Sequence, residues 1–221
     1  MTKYCTIGNV KETLSDITYE NLGFDEESEF DRFISRLIDR ASRMIDRWCR
    51  RPSDYFNGGA SITECHNGKA CPSEGVYPHT DRSDKAEITR RTYRLGQFPV
   101  LSVTSVHNNA SGIGETPSWG SAITAYTLDN ETGEIVFGWN VNISVSVKNL
   151  RFIYEAGYDN VPDEIEWACE EMVVNAIKKM MQDGVNMRIK FGRPMPIGLK
   201  TADVFTDSVK ELLDPYRKVR L

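Results

Sequence analysis

Apolar residues recur at helical spacing along one long stretch of the chain, from Glu27 to Arg50. They follow the i, i+3, i+4, i+7 series of a single helix face: Phe30, Phe33, Ile34, Leu37, Ile38, Ala41, Met44, Ile45 and Trp48. The opposite face carries arginines, which we call the arginine face: Arg32, Arg36, Arg40, Arg43 and Arg47. Pro52 is expected to end the helix, because the residue before a proline is disfavoured in the helical region. The pattern predicts one long amphipathic helix.

A second helical stretch begins at Pro162, where a first-turn proline and acidic residues suit the positive end of a helix. One apolar face then continues as far as Gly184: Ile165, Ala168, Cys169, Met172, Val173, Ala176, Ile177 and Met180. Shorter helices are predicted over Thr6–Ile17, where Thr6 or Asn9 can cap the first turn, and over Ala202–Leu213.

Between the long helices, β-branched and aromatic runs alternate with turn-forming residues. These runs predict strands near Ser61–Glu64 and over Ile88–Leu95, Val100–His107, Ala122–Leu128, Glu134–Phe137 and Ile143–Tyr154. The segment from Asn130 to Gly133 predicts a hairpin turn. Strands of this number and length predict a small antiparallel sheet or barrel.

Together these elements predict an α+β fold, in which a helical bundle is interrupted by an inserted small antiparallel β domain. The bundle has two long helices plus short N- and C-terminal helices, and is expected to comprise residues 1–51 and 155–213. The β-rich insertion is expected to span residues 52–154. Residues 214–221 are expected to form an extended basic C-terminal tail.

Composition and charge exclude several classes of protein. The 221 residues are 27% charged, 40% hydrophobic and 10% aromatic, which is typical of a globular chain and excludes general disorder. A formal net charge of -5 argues against a globally basic nucleic-acid binder. No apolar stretch approaches the roughly 20 residues of a membrane-spanning helix. The N-terminus also lacks the apolar segment of a signal peptide, so synthesis in the cytoplasm without membrane attachment is expected.

The sequence contains no recognised catalytic motif. The three histidines fall in predicted loops or at a strand end, and neither a Gly-x-Ser-x-Gly elbow nor a Gly-x4-Gly-Lys-Ser/Thr phosphate loop occurs. The sequence therefore favours a structural or binding role over an enzyme, and no cofactor is expected.

One cluster of residues keeps a different function open. Cys65, His66, Cys71 and His79 fall within a loop-like stretch and could supply the four nitrogen and sulfur ligands of a structural zinc ion. Their spacing matches no standard zinc-binding signature, and reduced thiols are the default in a cytoplasmic chain. The alternative function is thus a small binding or regulatory module with a zinc-stapled loop.

Two C-terminal segments mix apolar and basic residues. Val185–Lys200 is too rich in glycine and proline for a regular element, and is typical either of a partner-binding surface or of a loop folded back on its own core. The tail after Leu213 alternates in the same way, which suits docking into a groove but equally suits a solvated basic tail.

Five stretches in the same order along the chain resemble the tailed-phage family of head–tail connector proteins, also called head-completion or adaptor proteins. They are the opening Tyr4–Glu12, the helix end Ala41–Trp48, the strand segment Phe98–Val106, the junction Arg151–Ala168 and the closing Leu212–Leu221. The junction is the most specific, because its Tyr-Glu-Ala-Gly-Tyr and Val-Pro sequences resemble the link between the family's last strand and its second long helix.

The resemblance implies a structural virion protein at the head–tail interface. Copies are expected to form a homo-oligomeric ring of about twelve beneath the portal protein and to meet a tail-completion or stopper protein on the other side. Double-stranded DNA is expected to pass through the ring without sequence-specific binding, which suits a net acidic chain.

In that setting, two sets of residues are candidate contacts. The C-terminal set is a candidate for portal binding: Arg188, Phe191, Arg193, Met195, Pro215, Tyr216, Arg217, Lys218, Arg220 and Leu221. The arginine face is a candidate for contacts between subunits, because a ring needs one patch to meet a different patch on the neighbour. Acidic residues, which dominate the chain before Arg32, would supply the opposite charge.

Overall fold

The computed structural model describes residues 3–68, 92–109, 118–138, 141, 143, 148–182 and 204–218. These residues form two compact units. The helical unit combines the described residues up to Asn57 with those from Asn160 onward, and the β unit contains those from Gly58 to Asp159. The predicted α+β class is confirmed, with two long helices, two short helices and two antiparallel sheets in the described part of the chain.

The helical unit is organised around two long helices. Its α-helices are α1 (Ile7–Thr13), α2 (Glu27–Cys49), α3 (Asp163–Gln182) and α4 (Asp207–Leu213), and its 3-10 turns are Glu20–Leu22 and Asp214–Tyr216. Helices α2 and α3 pack against each other, and α3 also contacts both short helices. Within the described ranges, no helix has both the length and the apolar composition that a membrane crossing requires.

The apolar faces predicted for the long helices form the core of this unit. Ile34, Ile38 and Ile45 on α2 are fully buried, as are Ile165 and Met172 on α3. Each such side chain contributes about 1.5–3 kcal/mol of hydrophobic free energy relative to exposure. The core therefore holds α2 against α3 and leaves the opposite face of each helix outside.

Side-chain and backbone caps set the ends of the helices. The Thr6 hydroxyl accepts a hydrogen bond from the Asn9 amide at the start of α1, and Thr206 does the same for Val209 at the start of α4. Helix α4 is therefore shorter than the predicted Ala202–Leu213. Helix α2 ends at Cys49, three residues before Pro52, and the C-cap residue Arg50 adopts a left-handed conformation (φ 56°).

The β unit contains two sheets. Its strands are β1 (Ala60–His66), β2 (Thr92–Arg94), β3 (Val100–Asn109), β4 (Trp119–Ala122), β5 (Tyr126–Asp129), β6 (Glu134–Phe137) and β7 (Leu150–Ala156). One sheet has the order β1-β7-β3-β4 and the other β2-β6-β5, with every pairing antiparallel. Tyr93 and Phe137 of the second sheet meet edge to face (5.7 Å between ring centroids), and both rings pack at a tilt against Phe152 of the first sheet (6.0 and 6.2 Å).

Two predicted strands are wrong in part. The strand expected over Ile143–Tyr154 is β7, which begins at Leu150 after a turn at Lys148 (φ 53°). Ala122–Leu128 was expected to be continuous, but the chain bends after Ala122, and β4 and β5 belong to different sheets. The Tyr126 amide donates to the Thr124 carbonyl within this bend (3.1 Å), so those backbone groups bond locally instead of extending a ladder. The hairpin predicted between Asn130 and Gly133 is confirmed, since it joins β5 to β6.

A half-buried polar cluster lies beside the aromatic core. Glu64 accepts hydrogen bonds from the Tyr154 hydroxyl (2.7 Å) and the Gly96 amide (2.9 Å), and its carboxylate lies 3.2 Å from His66 Nε2. Burial acts to raise the pKa of Glu64, but His66, Gly96 and Tyr154 outweigh it and hold the pKa below its usual value. A Cβ on Gly96 would lie 2.5 Å from a Glu64 carboxylate oxygen, so a side chain at position 96 would displace that carboxylate.

Candidate functional site

The arginine face is exposed along the whole of α2. All five of its side chains are exposed, on the side opposite the buried apolar residues. From Arg32 to Arg47 they span about 22 Å of helix, at a rise of ~1.5 Å per residue. This set of predicted residues therefore forms one continuous basic surface.

Few local contacts neutralise this surface. Arg43 Nε donates to the backbone carbonyl of Asp39 (3.0 Å), one turn earlier. Among the described residues, Arg32, Arg40, Arg43 and Arg47 form no ion pair. Like charges three or four residues apart repel one another by a few tenths of a kcal/mol per pair. The helix thus tolerates a small electrostatic cost that an external acidic partner would relieve.

Acidic side chains are concentrated in the segment that precedes α2 and in its first turn. Six of them are exposed: Glu12, Asp16, Glu20, Asp25, Glu26 and Glu27. Lys11 bridges two acidic residues of α2, since its Nζ lies 2.6 Å from Glu27 and 2.6 Å from Asp31. An exposed acidic segment therefore precedes the arginine face along the chain.

The C-terminal segment differs from the predicted extended tail. Asp214–Tyr216 forms a 3-10 turn, and the Lys218 amide donates to the carbonyl of Cys49 at the end of α2 (2.9 Å). The Arg217 guanidinium lies 4.8 Å from the centre of the Trp48 ring. These contacts fix residues 214–218 to the helical unit, so at least this part is not a solvated tail.

Tyr216 is the central residue of that attachment. Its ring meets Phe56 edge to face (5.8 Å), its hydroxyl donates to Glu164 (2.7 Å), and its carbonyl accepts from Arg51 (3.2 Å). The hydrogen bond from Tyr216 holds the pKa of Glu164 below its usual value. Of the candidate portal contacts, Pro215 is exposed, whereas Tyr216, Arg217 and Lys218 are half-buried.

The remaining candidate portal contacts lie outside the described residues: Arg188, Phe191, Arg193, Met195, Arg220 and Leu221. Their assignment remains a prediction from the sequence.

Only half of the proposed zinc cluster lies in the described part of the chain. Cys71 and His79 fall outside it. Cys65 and His66 are consecutive residues of β1, where successive side chains point to opposite faces. Cys65 is exposed, whereas the His66 ring packs on Phe152 (5.2 Å). Within the described residues, no group of three or more metal-ligating side chains occurs.

Trp167 is a surface residue that the sequence interpretation missed. It is 59% exposed, on the face of α3 opposite the buried Ile165 and Cys169. Acidic residues lie one helical turn before and after it: Asp163, Glu164, Glu170 and Glu171. The available signal was a large aromatic residue at a position outside the apolar face.

These carboxylates also hold other elements against α3. Glu171 accepts from the hydroxyls of Thr206 (2.9 Å) and Ser208 (3.1 Å) near α4, and Glu170 accepts from the hydroxyl of Thr13 on α1. Each hydrogen bond leaves the negative charge in place. The surface around Trp167 is consequently both acidic and fixed in position.

Comparisons with known proteins find likeness in structure. No protein-family model and no curated protein matches the chain. A chain in the neck of an empty gene transfer agent particle, solved with C6 symmetry, aligns with a TM-score of 0.50 and 14% identity, over 97% of this chain and 89% of that one.

Two further gene transfer agent structures align less closely. A chain from the neck of the native particle, solved with C12 symmetry, gives a TM-score of 0.45 at 15% identity over 88% of this chain and 87% of that one. A chain from the virion of the native particle gives 0.45 at 14% identity over 86% and 79%. At such identities the comparison with the empty neck shows a shared fold, which extends over nearly the whole chain.

Proposed function

We propose that this chain is a structural neck protein of a phage-like particle, which forms a ring at the head–tail junction. The observation that carries the proposal is the fold shared over 97% of the chain with a neck protein of a gene transfer agent particle. The ordered resemblance of five sequence stretches to head–tail connectors supports the same role independently of the structure.

In this proposal, copies form a ring of about twelve beneath the portal protein. The neck that contains the similar chain was solved with six-fold symmetry. A ring of twelve is compatible with that symmetry because twelve is a multiple of six. The arginine face contacts the adjacent subunit, because an exposed basic surface on one side suits a contact between unlike patches.

The two ends of the ring have different partners. We assign portal binding to Arg188, Arg193 and their neighbours, together with the C-terminal residues from Pro215 onward, and the opposite end to the tail-completion or stopper protein. DNA passes through the lumen. A net charge of -5 supports this role because counterion release at many phosphate contacts would retard the passage of DNA.

The test is assembly on the portal. The purified chain, alone and mixed with the portal protein of the same particle, is measured by native mass spectrometry. We expect monomers alone and a portal complex that carries a ring of copies, because the portal raises the local concentration of subunits. A chain that never associates with the portal, at low or moderate salt, would contradict the proposed function.

The portal contact is tested by point variants. Because residues 214–218 are attached to the helical unit, truncation would disturb both the fold and the contact. Arg188→Glu with Arg193→Glu reverses two charges outside residues 214–218, and we expect it to abolish portal binding. Arg188→Lys with Arg193→Lys is the matched control, since lysine retains the positive charge at both positions. Unchanged binding by the glutamate variant would remove these residues from the portal contact.

A further inference from the structure

We infer that Trp167 anchors the surface of α3 that receives the arginine face of the next copy in the ring. This inference rests on the proposed function, in that it requires copies to meet around a ring. In this inference the arginine face of one copy contacts the surface around Trp167 of the next copy, and not the acidic residues at the start of α2.

Trp167 differs from the other described tryptophans in that no guanidinium group packs on its ring. The structure describes three of them. Trp48 is covered by Arg217 (4.8 Å from guanidinium carbon to ring centre), and Trp119 is covered by Arg151 (4.4 Å). No guanidinium of the described residues covers Trp167, which is 59% exposed. An indole face attracts an arginine cation, and the pair is stronger when an interface removes water from it.

The surface around Trp167 and the arginine face carry opposite charge. Trp167 lies among acidic side chains that span about 12 Å of α3, at ~1.5 Å per residue, from Asp163 to Glu171, with no basic residue between them. The arginine face is the complementary surface, with a longer row of exposed guanidinium groups on α2. An aromatic anchor surrounded by opposite charge is typical of interfaces in which arginine and tryptophan provide most of the binding free energy.

The positions of the two surfaces require two copies of the chain for a contact. Helices α2 and α3 bury their apolar faces in the same core, and the arginine face and Trp167 each lie on the side of their helix opposite that core. One copy therefore cannot bring its own two surfaces together. A second copy can, and each copy then offers one surface of each kind, which is the requirement for a closed ring of unlike contacts.

Alanine substitution tests the anchor. We expect Trp167→Ala to need at least about ten-fold more protein to complete the ring on the portal, as for a hot-spot residue. Met181→Ala is the matched control, because Met181 is also an apolar residue of α3 and is 39% exposed. Both variants should keep the melting temperature of the wild-type monomer. Ring assembly by Trp167→Ala at the wild-type concentration would overturn the inference.

Photocrosslinking identifies the occupant. Benzoylphenylalanine at position 167 keeps an aromatic side chain, and in the portal-bound ring we expect it to crosslink to the Arg32–Arg47 segment of the adjacent copy. Crosslinks to the portal or to the stopper protein instead, or no crosslink in an assembled ring, would overturn the inference while leaving the ring itself established. Failure of the wild-type chain to assemble would instead contradict the proposed function.

Discussion

The Cys5 thiol donates a hydrogen bond to the Cys169 thiol, with 3.3 Å between the sulfur atoms, and both side chains are buried. This contact joins the segment before α1 to the middle of the core face of α3. The hydrogen bond with Cys169 and burial raise the pKa of the Cys5 thiol, so the pair is unreactive while the helical unit is closed.

We expect this pair to form a disulfide when the helical unit opens locally in the presence of diamide. The two thiols lose their hydrogen atoms to the diazene, which is reduced to the hydrazine. The new bond should raise the free energy of unfolding by about 2–4 kcal/mol, because it closes a long loop. Peptide mapping and thermal unfolding measure the outcome.

Cys5→Ser is the control for the disulfide, since it should remove the stabilisation and leave the exposed Cys65 reactive. Oxidation that links Cys65 to a reagent but never links Cys5 to Cys169 would show that the two thiols do not come within bonding distance.

A second prediction concerns pH. The Tyr4 hydroxyl donates to Asp46, yet burial raises the pKa of Asp46 to about 6, opposed by Tyr4 and reinforced by Asp54. A carboxyl whose pKa is higher in the folded than in the unfolded state favours folding below its unfolded pKa, and this contribution is lost as pH rises through about 6. Asp46→Asn keeps an acceptor for Tyr4 without the charge.

At pH 7.5 we therefore expect Asp46→Asn to be more stable than wild type by about 1 kcal/mol, after allowance for solvent screening. Below pH 4 the difference should vanish. Denaturant unfolding at both pH values measures it. A variant that is less stable than wild type at pH 7.5 would show that the ionised carboxylate stabilises this site.

A third prediction concerns the arginine face. The triple variant Arg36→Glu, Arg40→Glu and Arg43→Glu should weaken ring assembly on the portal, most strongly at low salt, where charge interactions are least screened. The monomer's melting temperature should change little because these side chains are exposed. The corresponding triple lysine variant is the control. Normal assembly of the glutamate variant at low salt would mean that this face is simply solvated.

A fourth prediction concerns the C-terminal segment. Deletion of Pro215–Leu221 removes the contacts of Tyr216 with Phe56 and Glu164 and the Lys218 cap on Cys49, so we expect a loss of about 2–4 kcal/mol in stability. Tyr216→Phe loses only the solvent-exposed hydrogen bond from the hydroxyl to Glu164 and should therefore cost much less. Thermal unfolding of both variants tests whether the deletion destabilises the chain more than Tyr216→Phe does. A truncated chain as stable as wild type would contradict the attachment described.

The sequence predicted those elements whose periodicity is strong and local. The apolar spacing of Phe30 to Ile45 predicted α2, and the Asn130–Gly133 turn predicted its hairpin. Features that depend on contacts between distant residues could not be predicted. The sequence did not indicate that Tyr216 would reach Phe56, or that the chain would leave one sheet for the other after Ala122.

The candidate surface residues also differ in how far the sequence could predict them. The arginine face follows from helical spacing alone, and the structure finds every member exposed. Trp167 lies outside the predicted apolar face of α3, but only the fold establishes how far it is exposed, because its neighbours Ile165 and Ala168 belong to the core face. The exposed fraction of one side chain depends on which elements pack beside it, and α1 and α4 leave Trp167 open.

The most direct test of the structural role is the mass of the complex that this chain forms with its portal protein. Native mass spectrometry of the mixture should show a portal carrying a ring of about twelve copies, with the free chain monomeric. A portal that retains its own mass in the presence of excess chain would contradict the account.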